Sequence, residues 1–90
     1  MWILYESDWA LKRIPKLPRQ VIKKYELWKS IVRYNGSDKL REFKGFHDEA
    51  LKGEWLGSRS SRLNLQYRVI CSVERKEESI YVEDINPHEY

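Results

Sequence analysis

Two arginines in the second half of the chain, Arg62 and Arg68, have the type and spacing best suited to chemistry. If the turn between two predicted strands centres on Leu65, both arginines lie directly opposite each other on one face of a hairpin. Two like charges in that relation destabilise a sheet unless an anion lies between them, and guanidinium groups match the geometry of phosphate oxygens. The pair therefore indicates either a phosphate site or two side chains that separate into solvent. Arg59 is three residues from Arg62, and alternation along a strand places it on the other face. It joins the pair only if its strand bulges or has not yet begun at that residue.

The chain ends with two further groups that can do chemistry, the imidazole of His88 and the phenol of Tyr90. Both kinds of side chain transfer protons in enzymes. A histidine near a chain end is commonly just solvated, but a tail of two residues beyond it can stay beside the sheet. The tail is therefore either a proton-transfer site or a solvated terminus.

A metal site and a covalent mechanism have weaker support. His47, Asp48 and Glu49 form a polar cluster, but two histidines and one cysteine in the whole sequence offer few further ligands. Cys71 cannot form an internal disulfide, and its apolar strand favours a buried, inert thiol. The sequence has no phosphate-binding glycine loop and no nucleophile elbow. We expect no metal and no cofactor.

Charge is distributed unevenly along the 90 residues. The formal net charge is +3, but residues 11–68 carry 15 Lys and Arg against 6 Asp and Glu, whereas residues 69–90 carry 2 against 6. A concentrated positive field is typical of proteins that bind nucleic acid or an acidic partner, although a solvated surface gives the same count.

The elements that must position these groups follow from apolar periodicity. Apolar residues recur at helical spacing over residues 18–34, which predicts a long helix that Asn35-Gly36 ends; the buried stripe is Val21, Tyr25, Trp28 and Val32. The other predicted elements are a strand over 2–5, a short helix over 8–13, a helical turn over 37–43, an irregular segment over 44–58, and strands over 60–65, 67–73 and 80–85.

This order, β-α-α-β-β-β, predicts an α+β fold with helices on one face of a small twisted antiparallel sheet of three or four strands. Ninety residues suffice for one core, so we predict a single domain over 1–90. The tryptophans are expected mainly in that core, Trp55 being also a candidate for stacking on a base; they are Trp2, Trp9, Trp28 and Trp55. No apolar run approaches the roughly 20 residues of a membrane span, and the start lacks a secretion signal, so we expect a cytoplasmic location.

Several short motifs follow one another in the second half of the chain: Glu49-Ala-Leu-Lys-Gly53, Gly57, Arg59-Ser-Ser-Arg62-Leu, Gln66-Tyr-Arg68-Val-Ile and Pro87-His88-Glu89-Tyr90. In this order they resemble the RelE/ParE superfamily of bacterial type II toxins, nearest to the messenger-RNA interferases of the RelE, YoeB and HigB kind. The resemblance covers about residues 46–90 with motifs, whereas residues 1–45 agree only in their strand-then-helix order.

The resemblance implies a RelE-like fold and a small basic nuclease that cleaves messenger RNA on the ribosome. It also implies a cognate antitoxin protein that holds the toxin inactive. The positions that match the family's catalytic residues are Glu49, Arg68, His88 and Tyr90; those that match its substrate contacts are Lys52, Arg59 and Arg62.

Cleavage beside a ribose 2′-hydroxyl needs a base for that proton, cations for the charge on phosphorus and an acid for the departing 5′-oxygen. We assign Glu49 as the base, Arg68 and Arg62 as phosphate stabilisers and His88 as the acid; Glu49 and His88 could exchange roles. No metal is required. The alternatives are a gyrase-inhibiting toxin of the ParE kind, which shares the fold without this acid-base set, and a plain RNA- or protein-binding module.

Overall fold

The computed structural model describes residues 1–53 and 56–87, and a sheet of five strands lies at the centre of this part of the chain. The strands are β1 (Ile3–Glu6), β2 (Glu49–Ala50), β3 (Ser58–Arg62), β4 (Tyr67–Glu74) and β5 (Ser79–Pro87). The helices are α1 (Asp8–Arg13) and α2 (Arg19–Asn35), with 3₁₀ turns at Ile14–Lys16, Ser37–Glu42 and Lys44–Phe46. The α+β class is confirmed, and β2 is an additional strand.

The sheet is mixed, so the prediction of an antiparallel sheet with three or four strands is wrong. The strand order is β1-β5-β4-β3-β2, in which β1 is parallel to β5 and the other neighbours are antiparallel. Helices, not a hairpin, connect β1 to the later strands, and such a long connection permits a parallel pair. The two residues of β2 are too few for an alternating pattern to be visible in the sequence.

The long helix begins and ends one residue later than the predicted 18–34. Pro18 directly precedes its first residue, and Gly36 ends it with a φ of 77°. The N–H of Gly36 donates to the carbonyl of Val32 at 2.8 Å. A Cβ at Gly36 would lie 2.8 Å from the indole of Trp2, so glycine is required here by both conformation and space. No helix within residues 1–53 and 56–87 has the length and apolar character needed to span a membrane.

The predicted stripe on α2 faces the sheet and is fully buried; its members are Val21, Tyr25, Trp28 and Val32. Two polar groups on this buried face have partners. The indole Nε1 of Trp28 donates to Ser61 Oγ on β3 at 3.0 Å, and the hydroxyl of Tyr25 donates to Glu6 on β1. Burial, and then the carboxylate of Glu6, raise the pKa of the Tyr25 phenol far above its usual value. The helix is therefore fixed to the sheet by directional contacts as well as by apolar packing.

The other tryptophans divide between core and surface. Trp2 is partly buried and packs against the core. Trp9 is 55 % exposed, so the prediction that it lies in the core is wrong. The six-residue α1 buries Ala10 and leaves Trp9 on its outer side. Trp55 lies outside the described residues.

The two faces of the sheet differ in composition. Val69 and Cys71 of β4 belong to the buried cluster that includes α2, and we call this the helix-side face. Arg68 alternates with them and projects from the opposite face, which also carries Arg62; we call it the arginine face. The predicted burial of Cys71 is confirmed, and burial raises the pKa of its thiol to about 12.

A tight turn joins β3 to β4 and ends β3 at Arg62 instead of the predicted residue 65. The side-chain oxygen of Asn64 accepts hydrogen bonds from the backbone N–H groups of Gln66 at 2.8 Å and Tyr67 at 2.7 Å. The N–H of Leu63 donates to the carbonyl of Tyr67 at 2.8 Å. Asparagine favours this arrangement because its short side chain can replace a backbone acceptor in a turn.

Candidate functional site

The last pair of the β3–β4 hairpin joins Arg62 and Arg68, as the sequence predicted. Directly opposed residues of an antiparallel pair have Cβ atoms about 4.5–5.5 Å apart and project from the same face. Both side chains are half-buried. Two arginines therefore project from the same face at the end of the sheet, where an anion between them would interact favourably with both.

The carboxylate of Glu49 lies on the same face. Glu49 pairs with Ser60, and Ser60 is two residues from Arg62 on β3, so all three side chains project in one direction. A diagonal neighbour of this kind lies about 7–8 Å away between Cα atoms. Glu49 is exposed, and so is Lys52, which follows β2 without being part of a strand. The structure thus brings Glu49, Arg62 and Arg68 together on the arginine face.

Arg68 is held by a polar network that begins on β5. Its Nε donates to the side-chain oxygen of Asn86 at 3.3 Å, and Asn86 is also its partner in the strand register. The amide nitrogen of Asn86 donates to Asp84 Oδ2 at 3.0 Å. Asp84 Oδ1 accepts from the N–H of Ile85 at 2.8 Å and lies 3.2 Å from Nε of Arg13 on α1. The contacts run without interruption from α1 to Arg68.

This network was not found from the sequence. Asp84 is 8 % exposed, and a carboxylate at that depth requires partners. A signal is present: Asp84 lies on the predicted strand over 80–85 and Asn86 directly follows that strand, and two residues this far apart in an extended chain project from one face. Its other end, Arg13, could not be connected to them because nothing in the sequence specifies where α1 packs.

Arg59 lies on the helix-side face. Its guanidinium donates to Asp48 Oδ2 from Nε at 3.0 Å and from Nη2 at 2.7 Å. The other oxygen of Asp48 accepts from Ser61 Oγ at 3.1 Å, and Ser61 in turn accepts from Trp28. The Asp48 side chain is only 2 % exposed. Because β3 is regular from Ser58 onward, Arg59 does not join the opposed arginines.

The geometry can be compared with known proteins. No family model and no curated protein sequence matches this chain. Solved structures do match it. A chain of the archaeal RelE–RelB complex from Pyrococcus horikoshii superposes with a TM-score of 0.76 and 24 % identity, over 96 % of this chain and 93 % of that one. A chain of the YoeB–YefM complex from Staphylococcus aureus gives 0.72 and 26 %, over 99 % of each. YafQ from E. coli gives 0.79 and 13 %, over 98 % and 94 %.

The protein has the RelE/ParE toxin fold. In that RelE-like frame, the three predicted site residues that share the arginine face are Glu49, Arg62 and Arg68. His88 and Tyr90 lie outside the described residues. The last residue of β5, Pro87, pairs with Tyr67, the neighbour of Arg68 on β4. Within residues 1–53 and 56–87, no group of three or more His, Cys, Asp and Glu side chains is placed to hold a metal ion.

Proposed function

We propose that the protein is the toxin of a type II toxin-antitoxin system and cleaves messenger RNA on the ribosome without a metal ion. The observation that carries the proposal is the pair Arg62 and Arg68, held opposite each other with Glu49 on the same face. The likeness to chains of RelE–RelB and YoeB–YefM complexes supports the toxin role. The order of motifs from Glu49 to Tyr90 supports the nuclease branch.

The proposed reaction breaks one P–O bond and forms another. Glu49 takes the proton of a ribose 2′-hydroxyl, whose oxygen attacks the neighbouring phosphorus. The 5′-oxygen leaves with a proton from His88, which gives a 2′,3′-cyclic phosphate and a 5′-hydroxyl end. Glu49 and His88 could exchange these roles.

The arginines stabilise the charge that develops on the phosphate oxygens. A phosphate between two like charges on one face of a sheet interacts favourably with both of them, and guanidinium groups match the geometry of its oxygens. The hydrogen bond from Arg68 to Asn86 limits the orientations of the guanidinium, so less freedom is lost when the phosphate binds.

The other predicted residues are assigned from the resemblance. Lys52 contacts RNA, and Tyr90 is assigned to the catalytic residues because it matches the family's terminal aromatic. Arg59 matches an RNA contact of the family, but its guanidinium is bound to the buried carboxylate of Asp48. We therefore assign Arg59 to holding the strand.

The partner in this proposal is a cognate antitoxin that covers the arginine face or displaces the C-terminal tail. An excess of basic residues over 11–68 favours an acidic partner segment. The affinity of that complex should then fall as the salt concentration rises. Action on ribosomes places the protein in the cytoplasm.

The test is single-turnover cleavage of messenger RNA bound to ribosomes, followed by chemical analysis of the new ends. We expect 2′,3′-cyclic phosphate ends, and His88→Ala should lower the rate by roughly 10²- to 10⁴-fold. Chelation should leave the rate unchanged when polyamines keep the ribosome intact. Full activity of His88→Ala, or loss of cleavage on chelation with intact ribosomes, would contradict the mechanism. Growth arrest that persists in His88→Ala cells together with inhibited gyrase would support the ParE-like alternative.

A further inference from the structure

An exposed tryptophan on α1 is surrounded by cations. Trp9 lies in a hollow of about 300 Å³ that is also lined by Lys12, Arg13 and Lys16. The guanidinium carbon of Arg13 is 4.9 Å from the centre of the indole ring. Lys12 and Lys16 are exposed, and Trp9 keeps more than half of its surface exposed although Arg13 covers part of it. We call these four residues the Trp9 surface.

The Trp9 surface is continuous with the candidate site. Arg13 also lines a second hollow, of about 350 Å³, whose other residues include Arg68, Asp84 and Asn86. The same Arg13 therefore contacts the indole on one side and faces Asp84 on the other, 3.2 Å from its carboxylate. Asp84 is connected through Asn86 to Arg68. If a phosphate binds at Arg68, one direction in which the nucleic-acid strand can continue is past Arg13 to the Trp9 surface.

The combination on this surface fits single-stranded RNA. A flat aromatic side chain stacks on a base of any sequence, and nearby cations attract the phosphates on either side. A guanidinium above the indole adds a second planar group on which a base can stack. An acidic protein segment would be attracted by the same cations, but it would gain little from an exposed indole.

We propose that the Trp9 surface binds a nucleotide that flanks the cleaved one, with its base stacked on Trp9 and its phosphates near Lys12 and Lys16. This proposal rests on the proposed function, because the RNA strand it binds is the one on which Arg68 acts. It adds a binding subsite on α1, outside the strands and the tail that carry the catalytic residues. The subsite supplies affinity and leaves the chemical step unchanged.

The experiment measures binding of a short single-stranded RNA with 2′-O-methyl groups on every ribose, which blocks attack by the 2′-oxygen. Fluorescence anisotropy gives the Kd of the wild type and of three variants. Trp9→Ala should weaken binding by roughly 5- to 150-fold, the range expected for one stacked base. Trp9→Phe should recover most of the affinity because it keeps an aromatic face. Leu11→Ala is the matched control, since Leu11 is 50 % exposed on the same helix and does not line the hollow.

Two results would overturn the proposal: Trp9→Ala that binds this RNA as tightly as the wild type, or Leu11→Ala that loses as much affinity as Trp9→Ala. In the first case, weaker binding of an acidic antitoxin segment by Trp9→Ala would assign the surface to a protein partner. The RNA cannot be cleaved, so the measurement does not depend on catalysis. If the protein binds this RNA through Trp9 but cleaves no messenger RNA on ribosomes, the proposed function is contradicted. If it cleaves messenger RNA normally but its affinity for the RNA does not depend on Trp9, this inference alone is contradicted.

Discussion

The two faces of β3 place arginines three residues apart in opposite environments. On the helix-side face, Arg59 is bound by two hydrogen bonds to Asp48, whose carboxylate is almost completely buried. On the arginine face, Arg62 is directly opposite Arg68, a pairing of like charges. The first arrangement is electrostatically complete within the protein. The second places two cations where an anion can lie between them, so Arg59 is suited to holding the fold and Arg62 to binding an anion.

Trp28→Ala should have the largest effect on stability, because it tests the helix-side face at its centre. It removes a fully buried indole and the donor to Ser61. We expect a loss of roughly 3–5 kcal/mol in the free energy of unfolding, measured by urea denaturation. Trp9→Ala is the matched control; because Trp9 is exposed, it should cost less than about 1 kcal/mol. Equal losses in the two variants would show that α2 does not anchor the sheet.

Arg59→Ala should have the next largest effect, because it leaves the Asp48 carboxylate buried beside the hydroxyl of Ser61 without its cationic partner. Breaking a buried ion pair from one side costs about 3–5 kcal/mol, and the partial exposure of Arg59 favours the lower end. The double variant Asp48→Asn/Arg59→Gln leaves no unpaired charge. Its loss in the free energy of unfolding should therefore be smaller than the sum of the losses in Asp48→Asn and Arg59→Gln alone. If Arg59→Ala is as stable as the wild type, Arg59 does not hold the fold, and the distinction between the two faces of β3 is contradicted.

The smallest effect is expected at an ion pair that lies in solvent. Hydrogen bonds from Arg75 hold the pKa of the Asp38 carboxyl below its usual value. A carboxyl group whose pKa is lower in the folded state stabilises the protein at a pH above its pKa in the unfolded state, about 3.9. This stabilisation is lost as the pH falls through the pKa of the folded state. The melting temperature of the wild type should therefore fall more steeply below about pH 4 than that of Asp38→Asn. Arg75→Ala should give the same shallower slope, whereas an unchanged slope in both variants would contradict the pairing.

The sequence predicted the parts of the fold that depend on local patterns. The spacing of the α2 stripe and the stop at Gly36 gave the helix to within one residue, and Leu65 gave the register of Arg62 with Arg68. The parallel pairing of β1, the strand β2 and the exposure of Trp9 could not be predicted because they depend on contacts between distant segments. These contacts decide which polar groups meet once the chain is folded.

The sequence also predicted those features of the candidate site that depend on local patterns, but not the contacts between distant residues. Parity along β3 placed Arg62 with Arg68 and separated Arg59 from them, which the register confirms. The partner of Arg59 was not predicted: Asp48 lies 11 residues away and outside any predicted element. The spacing of Asp84 and Asn86 places both on one face of β5, but a strand pattern does not give the neighbours of a residue across the sheet, so their contact with Arg68 was not predicted.

The most direct test of this division removes one arginine from each face and compares cleavage with stability. Arg68→Ala should slow single-turnover cleavage of ribosome-bound messenger RNA by roughly 10²- to 10³-fold, the effect of one preorganised donor, while it melts close to the wild-type temperature. Asp48→Asn/Arg59→Gln should melt at a lower temperature and, at a temperature where it is folded, cleave close to the wild-type rate. Wild-type cleavage by Arg68→Ala would contradict the account. So would a loss in the double variant as large as that in Arg68→Ala, because it would place Arg59 on the RNA.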